Sequence, residues 1–467
     1  MQETKLWQLI KRFPAHYLRE ASRFVNSSFF NRKKQCSMLW EYLLFHINRS
    51  NPLPNHQEAF QRLYPGLEYD NAKLRLAISD LYKLLLQFLA FKEWEQQIGV
   101  QELYQAKALR KLGLEKYARQ NLKLSTQVLS KSNLRNADFF QISYEILAEH
   151  YIMDYRSSPD KSASLQLLSD TADLALLSAK LRQSCLALAH QGVYTASHQL
   201  GFTSLVMKYI EERALLKEPA ISIYYYCFFM LQEASDESHF KQFKALLLAN
   251  GQLFEQSEIR DLYLMGINYA IRQVNAGKEH YFNEIMTLYE AALEGDYLLE
   301  NGQLSRFTYN NIVAAGIRTE RYDWVEQFIH AYRLKLASLY RESSFSFCLA
   351  RLAYNRKNFH IALPLLQKAN YRDPLLNLAA KTLLLKIYYE LDEYDLLHAH
   401  LDAMQNYILR KKVIAYHKTN YLNIIRHTRK LMSLNFFDTQ AIKKRKSEVE
   451  EEAILTEKRW LLAQLNV

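Results

Sequence analysis

Two histidines and a carboxylate near residue 400 are of the types that bind metal ions. His398, His400 and Asp402 lie close together in the sequence, and imidazole nitrogens and carboxylate oxygens are common ligands of zinc. On a helix, however, residues two apart point about 200° away from each other, so His398 and His400 do not face one ion. We therefore predict that this segment holds no metal, and we identify no residues for another cofactor.

The sequence motifs of nucleophilic catalysis and of nucleotide binding do not occur in this chain. Gly-x-Ser-x-Gly, His-Glu-x-x-His, Gly-x-Gly-x-x-Gly and the Walker-type glycine loop are all missing. Segment 275–278 contains a Gly-Lys pair, but it lacks the preceding glycine and the following Ser or Thr that a phosphate loop needs. We predict a non-enzymatic protein without catalytic residues. An active site of unknown type, between the N-terminal helices and the rest of the chain, is the alternative.

Basic residues are concentrated near both ends of the chain. Within a net charge of +11, residues 5–49 hold nine Lys/Arg against two acids, and residues 405–446 hold eleven against one. Like charges at helical spacing repel one another, so the clusters need acidic groups nearby. The acids of segment 448–452 are the internal candidate, whereas an acidic protein segment, an anionic membrane surface or nucleic acid are external candidates. The C-terminal patch consists of Arg410, Lys411, Lys412, Lys418, Arg426, Arg429, Lys430, Lys443, Lys444, Arg445 and Lys446.

The composition indicates an all-α protein. Eleven glycines and eight prolines in 467 residues are far fewer than β-rich or βαβ folds need for their turns. Leu, Ala, Lys, Gln and Glu, which favour helices, dominate instead. A hydrophobic fraction of 49% excludes an intrinsically disordered chain and is sufficient for a continuous core between packed helices.

The cysteines and the apolar runs indicate the cellular compartment in which the protein functions. Cys36, Cys185, Cys227 and Cys348 are far apart and form no Cys-x-x-Cys pair, so neither a zinc site nor a disulfide framework is expected. The first residues alternate charged and apolar side chains and lack the apolar core of a signal peptide. The longest uncharged run, 183–207, is too polar for a bilayer. We predict a cytoplasmic protein without a membrane span.

Breaks at proline, glycine and asparagine divide the chain into three predicted parts. Residues 1–96 are expected to form an all-helical module, whose clearest helix begins at Asp70 or Asn71. Residues 97–438 are expected to form about eight or nine helical hairpins. Residues 439–467 are expected to form one C-terminal capping helix with a polar outer face.

Small residues recur at fixed intervals in the stretch that the hairpin prediction depends on most. Ala350, Ala362 and Ala369 are 12 and then 7 residues apart, and Pro374 follows 5 residues later. Small side chains at such intervals are typical of two antiparallel helices that cross closely, followed by a proline at the next helix start. We therefore interpret this stretch as one helical hairpin and the beginning of the next.

The same two intervals separate Ala106, Ala118 and Ser125. Together the two stretches resemble the tetratricopeptide (TPR) repeat family. The resemblance implies a right-handed α-α superhelix of irregular TPR-like hairpins, with these small residues at the helix crossings and a concave face that binds a partner segment. The N-terminal sequence RLYPGLEYDNAKLRLAISDLYKLLLQFL resembles an uncharacterised family of bacterial helical proteins, which implies no activity.

These observations favour a protein-interaction scaffold. The expected mechanism is burial of a partner segment along the concave face, with aromatic anchors and basic side chains selecting an extended or acidic ligand. The alternative is a nucleic-acid-binding or regulatory protein that uses the basic N- and C-terminal helices.

Overall fold

The computed structural model describes the chain except for residues 2, 49–52, 158–162, 193, 195–196, 369–370, 372, 411–414 and 467. The described residues are 78% helical and form 23 α-helices and almost no strands. The prediction of an all-α fold is confirmed. No helix among the described residues is long and apolar enough to cross a lipid bilayer.

The chain divides into two compact units, Met1–Lys180 and Leu181–Val467. The first unit contains eight α-helices and the first part of a ninth, which extends into the second unit. Their bounds are α1 Lys5–Ile10, α2 Ala15–Val25, α3 Lys34–Asn48, α4 His56–Leu63, α5 Asn71–Gln96, α6 Val100–Lys111, α7 Glu115–Lys131, α8 Ala137–Ser157 and α9 Ala163–Gln191.

Two separate apolar clusters stabilise the first unit. One is formed by α1 to α5 and includes the fully buried Trp40 and Phe60. The indole N–H of Trp40 donates to Ser22 Oγ at 2.9 Å, so this buried polar group is satisfied. The other cluster joins α6, α7 and α8 around Leu122 and Ile146. The residues expected to form an N-terminal module therefore share one core, and the next three helices share another.

The second unit contains fourteen α-helices after α9 and one short β-hairpin, all among the residues that the structure describes. The helices are α10 Thr203–Glu212, α11 Pro219–Gln232, α12 Glu237–Asn250, α13 Gln256–Asn275, α14 Tyr281–Glu294, α15 Arg306–Arg318, α16 Tyr322–Tyr332, α17 Ser338–Asn355, α18 Phe359–Lys368, α19 Pro374–Glu390, α20 Tyr394–Arg410, α21 Ala415–Met432, α22 Thr439–Glu451 and α23 Lys458–Gln464. Strands β1 Leu299–Glu300 and β2 Gln303–Leu304 pair antiparallel.

Helices α13 to α20 form four consecutive hairpins. The turn between the two helices is of the same type in each hairpin. In each turn the residue after the helix C-cap adopts a left-handed conformation, and the next backbone N–H bonds to a carbonyl five residues back. This is the Schellman arrangement, which satisfies carbonyls at the end of the first helix. The left-handed residues are Gly277, Glu320, Lys357 and Asp392. Helix α17 also packs on both α15 and α19, so neighbouring hairpins share contacts through their first helices. The chain is thus helical-repeat-like.

The structure buries the small residues of the predicted helix crossings that it describes. Ala106, Ala118 and Ser125 in the first unit and Ala350 and Ala362 in the second are all fully buried. Ala369 lies outside the described residues.

Ser125 and Pro374, both part of the predicted hairpin pattern, have further structural roles. The Ser125 hydroxyl donates to the Gly99 carbonyl at 2.6 Å. Pro374 occupies the first position of α19, directly after the N-cap Asp373, whose carboxylate accepts from the Leu376 N–H at 2.8 Å.

The C-terminal segment contains two helices where one capping helix is expected. Helix α22 ends at Glu451, and α23 begins only at Lys458. The residue between them, Glu457, has a left-handed backbone with φ 55°, so a continuous helix cannot pass through it. Trp460 and Leu461 of α23 are buried in an apolar cluster with residues of α19, α20 and α21. Helix α23 therefore packs against α19, α20 and α21 of the second unit.

Candidate functional site

A cavity of about 530 Å³ lies within the second unit. Its walls are α15, the turn after it and the start of α16, then α17 with the turn after it, α19, α21, and α23 with the segment before it. Five basic and two acidic side chains line it, so the lining carries three more positive than negative charges. The basic residues are Arg318, Arg351, Lys357, Lys386 and Arg459, and the acidic residues are Glu320 and Glu457. We refer to this space as the cationic cavity.

Helical periodicity positions the central side chains of the cationic cavity. On α17, Phe347, Arg351 and Tyr354 follow one another at i, i+4 and i+7, so they share one face. On α19, Thr382 and Lys386 are four residues apart and share a face in the same way. Because both helices are first helices of hairpins that pack side by side, the two faces border the same space.

Arg351 lies at the centre of the lining face of α17 and has no direct polar partner among the described residues. Within the described part of the chain its guanidinium makes no hydrogen bond and no ion pair. Burial lowers the pKa of Arg351, the carboxylate of Glu457 raises it, and the positive charge of Arg318 lowers it further. A guanidinium stays protonated in proteins and offers five N–H donors in a planar arrangement that matches carboxylate and phosphate oxygens. Arg351 is therefore able to bind an anion that enters the cavity.

Glu457 supplies a negative charge inside the cationic cavity. Its carboxylate accepts a hydrogen bond from Lys386 Nζ at 2.8 Å. Burial raises the pKa of Glu457, but Lys386, Arg351 and Arg318 lower it more, so the pKa lies below its ordinary value. The side chain is nevertheless 38% exposed, because it borders the open volume of the cavity. The Glu457 carboxylate is thus bound to Lys386 in a cavity that Arg351 and Arg318 also line, and it remains accessible to solvent.

Glu390 connects three residues of the cavity lining. Its carboxylate accepts hydrogen bonds from the Tyr354 hydroxyl, from Lys357 Nζ at 2.6 Å and from Trp460 Nε1 at 2.9 Å. Burial raises the pKa of Glu390, but these three hydrogen bonds lower it more, so the pKa falls below its ordinary value. The ring of Trp460 also contacts Tyr389 edge to face. Glu390 therefore fixes α23 against α17 and α19 at the edge of the cavity.

Acidic residues of the same unit neutralise part of the predicted C-terminal basic patch. Glu448 binds Lys430 Nζ at 3.0 Å and Arg445 Nη1 at 2.5 Å. Arg426 forms an ion pair with Glu452. The internal explanation that the sequence leaves open, acids of segment 448–452 folded back onto the patch, therefore applies to these three cations.

The other patch residues differ in their contacts. Arg429 binds Asp402 at 2.5 Å, and Lys446 Nζ donates to Asn466 Oδ1 at 3.1 Å. Four further patch cations make no ion pair with a described residue, and two lie outside the described residues. The four without an ion pair are Arg410, Lys418, Lys443 and Lys444, and the two outside the described residues are Lys411 and Lys412. None of the nine patch residues that the structure describes lines the cationic cavity, so the structure does not bring this part of the predicted patch and the cavity together.

His400 and Asp402, two of the three candidate metal ligands near residue 400, contact other residues of the chain. The ring Nε2 of His400 lies 2.7 Å from the Lys381 carbonyl oxygen, and burial lowers the pKa of this imidazole. Asp402 pairs with Arg429. Among the described residues, no group of three or more His, Cys, Asp or Glu side chains is placed to hold a metal ion.

Sequence reasoning missed the residues of the cationic cavity because they come from distant segments. Arg318, Arg351, Lys386 and Glu457 are spread over 140 residues, and only the stacking of hairpins brings them together. One local signal was present: Arg351 shares a helix face with the apolar or aromatic residues Phe347 and Tyr354. A cation on a largely apolar face indicates either a buried ion pair or a binding site.

In comparisons of this chain with protein-family models, with curated proteins and with solved structures, nothing matches.

Proposed function

We propose that the chain is a non-enzymatic interaction protein that holds an acidic segment of a partner protein in the cationic cavity. The observation that carries this proposal is the guanidinium of Arg351, which lines the cavity without a hydrogen-bond partner among the described residues. A carboxylate of a partner would give this group the charge-assisted, bidentate contact that it lacks in the free protein.

The lining suits a peptide better than a small apolar ligand. Small-molecule sites are mostly apolar with a few polar groups, whereas this cavity is lined by seven charged side chains. Tyr354, Tyr421 and Trp460 lie among the charges. Arg, Tyr and Trp are the residue types that contribute most to binding at protein interfaces. An extended segment with acidic side chains and one or two apolar ones matches both features.

The repeat architecture supports the same function. We place the cavity on the concave face of a right-handed, TPR-like stack of hairpins, because its walls come from the first helices of successive hairpins. In such stacks each repeat adds a strip of surface to one extended binding face. We place the protein in the cytoplasm, since its four cysteines are all free and buried, as is usual in reducing compartments.

The test uses a defined acidic probe, a fluorescein-labelled octaglutamate peptide, in a fluorescence anisotropy titration with the full chain. We expect saturable binding that weakens with added salt. Arg351→Gln should weaken it by about tenfold or more, because a charge-assisted hydrogen bond contributes about 1.5–3 kcal/mol. Arg410→Gln is the matched control: Arg410 is exposed, lies outside the cavity and makes no ion pair with a described residue.

Two controls test whether binding depends on carboxylates and on the cavity. A labelled peptide of alternating serine and glycine should not bind, because it lacks carboxylates. Equal affinities of the two arginine variants for octaglutamate would contradict the proposal, since binding would then depend on overall charge instead of on the cavity.

A further inference from the structure

We infer that Glu457 is an internal ligand of the cationic cavity: its carboxylate occupies an anion subsite formed by Lys386, Arg351 and Arg318, and an external anion binds by replacing it. The inference deepens the proposed function and rests on it for the identity of the natural ligand. The existence of the subsite is tested separately below, with an inorganic anion.

The backbone at Glu457 adopts a conformation that does not serve the helix that follows. Its φ of 55° is left-handed, a region that costs an L-residue with a Cβ roughly 1–2 kcal/mol. Glu457 precedes α23, where a side chain could cap the helix, yet its carboxylate makes no capping hydrogen bond. Instead the carboxylate points to Lys386 across the cavity. The backbone of Glu457 is thus in an unfavourable conformation while its carboxylate is bound to Lys386.

The segment that carries Glu457 is held in place by other residues. Trp460, Leu461 and Leu465 of the C-terminal segment are buried in the apolar cluster of α19 to α21. Trp460 is also fixed through Glu390. Because these contacts do not involve the Glu457 carboxylate, the side chain can rotate into solvent while α23 stays packed. Replacement of Glu457 by an external anion therefore requires only a rotamer change.

The subsite is only partly filled by Glu457. The carboxylate forms its ion pair with Lys386, whereas Arg351 makes no direct hydrogen bond to it or to another described residue. A dianion, or a carboxylate that reaches both cations, would satisfy donors that Glu457 leaves unused. Competition from Glu457 lowers the apparent affinity for such a ligand by the fraction of molecules in which the subsite is occupied internally.

The test measures the melting temperature of the full chain in sodium sulfate and in sodium chloride of equal ionic strength. In Glu457→Gln the three cations lose their internal anion. We therefore expect sulfate to raise its melting temperature by about 2 °C more than that of the wild type. Glu450→Gln is the matched control, because Glu450 is exposed on α22 and outside the cavity; it should behave like the wild type. Adding Arg351→Gln to Glu457→Gln should abolish the extra stabilisation.

A second variant covers the case in which Glu457→Gln folds poorly. Glu457→Gly removes the same carboxylate and also relieves the left-handed backbone, so it should fold better than Glu457→Gln. The same extra response to sulfate is expected. Equal sulfate effects in the wild type, in Glu450→Gln and in both Glu457 variants would overturn the inference.

The octaglutamate titration separates this inference from the proposed function. We expect Glu457→Gln to bind the peptide about 3–10-fold more tightly than the wild type, because the internal competitor is gone. An extra sulfate response without peptide binding by any variant would support the subsite and contradict the proposed function. Peptide binding that depends on Arg351, with no effect of the Glu457 variants in either assay, would support the proposed function and overturn the inference.

Discussion

At the scale of single residues, Glu390 contributes most clearly to holding the cavity together. It is a nearly buried carboxylate with three donors from two helices and from the turn after α17. Glu390→Gln keeps the shape of the side chain but weakens three charge-assisted hydrogen bonds. We expect the free energy of unfolding to fall by about 1–3 kcal/mol, measured by urea denaturation. Glu393→Gln, an exposed neighbour in the following turn, should leave the free energy of unfolding nearly unchanged.

The stabilisation by Glu390 should depend on pH in a defined direction. Its pKa is lowered on folding, so its contribution is fully present above the ordinary pKa of a free glutamate, about 4.3, and is lost as the pH falls through the lower pKa of the folded state. The difference in unfolding free energy between wild type and Glu390→Gln should therefore be constant near neutral pH and shrink below about pH 4. A difference that grew on acidification would contradict the assignment.

At the scale of elements, the hairpin turns are equivalent although their residues differ. Gly277 and Glu320 occupy the same left-handed position in two turns, with φ values of 93° and 58°. Glu320→Gly should raise the free energy of unfolding by about 0.5–1 kcal/mol, because glycine adopts this conformation without strain. Gly277→Ala should lower it by about 1 kcal/mol although no atom lies near the new Cβ. Thermal or urea denaturation measures both.

A matched substitution distinguishes backbone strain from a side-chain effect in this turn. Glu320→Ala removes the same carboxylate as Glu320→Gly but keeps a Cβ at a positive φ, so it should not be stabilised to the same extent. Equal stabilities of the Ala and Gly variants would show that the backbone conformation at position 320 is not the source of the gain.

Close packing between α15 and α16 depends on a glycine. A Cβ at Gly316 would overlap Cγ2 of Val325, which is fully buried on α16. Gly316→Ala should therefore destabilise the protein by about 1–3 kcal/mol, the usual effect of overpacking. The double variant Gly316→Ala/Val325→Ala should lose less stability than the sum of the two single variants, because the overlapping methyl group is gone. Strict additivity in urea denaturation would contradict the contact.

The intervals in the sequence predicted hairpins better than they predicted where helices stop. The 12- and 7-residue spacing identifies Ala350 and Ala362, which are fully buried on α17 and α18. The spacing says nothing of the turn at Glu320, where a glutamate occupies a position that usually favours glycine. The break before α23 was also unpredictable from local propensity, because the sequence around Glu457 contains no glycine or proline. The helix that follows the break carries Trp460 and Leu461, which are buried against distant helices of the chain.

At the scale of the whole molecule, the positive charge of the second unit occurs at two places with different expected roles, the cationic cavity and the C-terminal patch. The cationic cavity was beyond sequence reasoning, because its charges become neighbours only through tertiary packing. The C-terminal patch was visible in the sequence, but several of its cations are paired within the chain. Charge density along a sequence thus locates basic segments, whereas uncompensated charge can be recognised only after the acidic partners are placed.

Charge reversal distinguishes the patch from the cavity. Lys443 and Lys444 are exposed and make no ion pair with a described residue. Lys443→Glu/Lys444→Glu should leave octaglutamate affinity within about twofold at physiological salt, because neither side chain lines the cavity and salt screens exposed charges. If the patch binds nucleic acid, the same variant should lose affinity for a labelled DNA duplex, with a shallower salt dependence. DNA binding by the wild type that the variant loses would favour the nucleic-acid alternative.

The central claim is that the cationic cavity binds acidic segments, and hydrogen exchange of the backbone amides tests it most directly. Mass spectrometry of the full chain would compare exchange with and without saturating octaglutamate. We predict slower exchange in segments 317–322, 347–357 and 379–386, which line the cavity, and, at peptide concentrations near the wild-type Kd, much less protection of the same segments in Arg351→Gln. Protection confined to residues 405–446, or unchanged exchange in all three cavity segments, would contradict the claim.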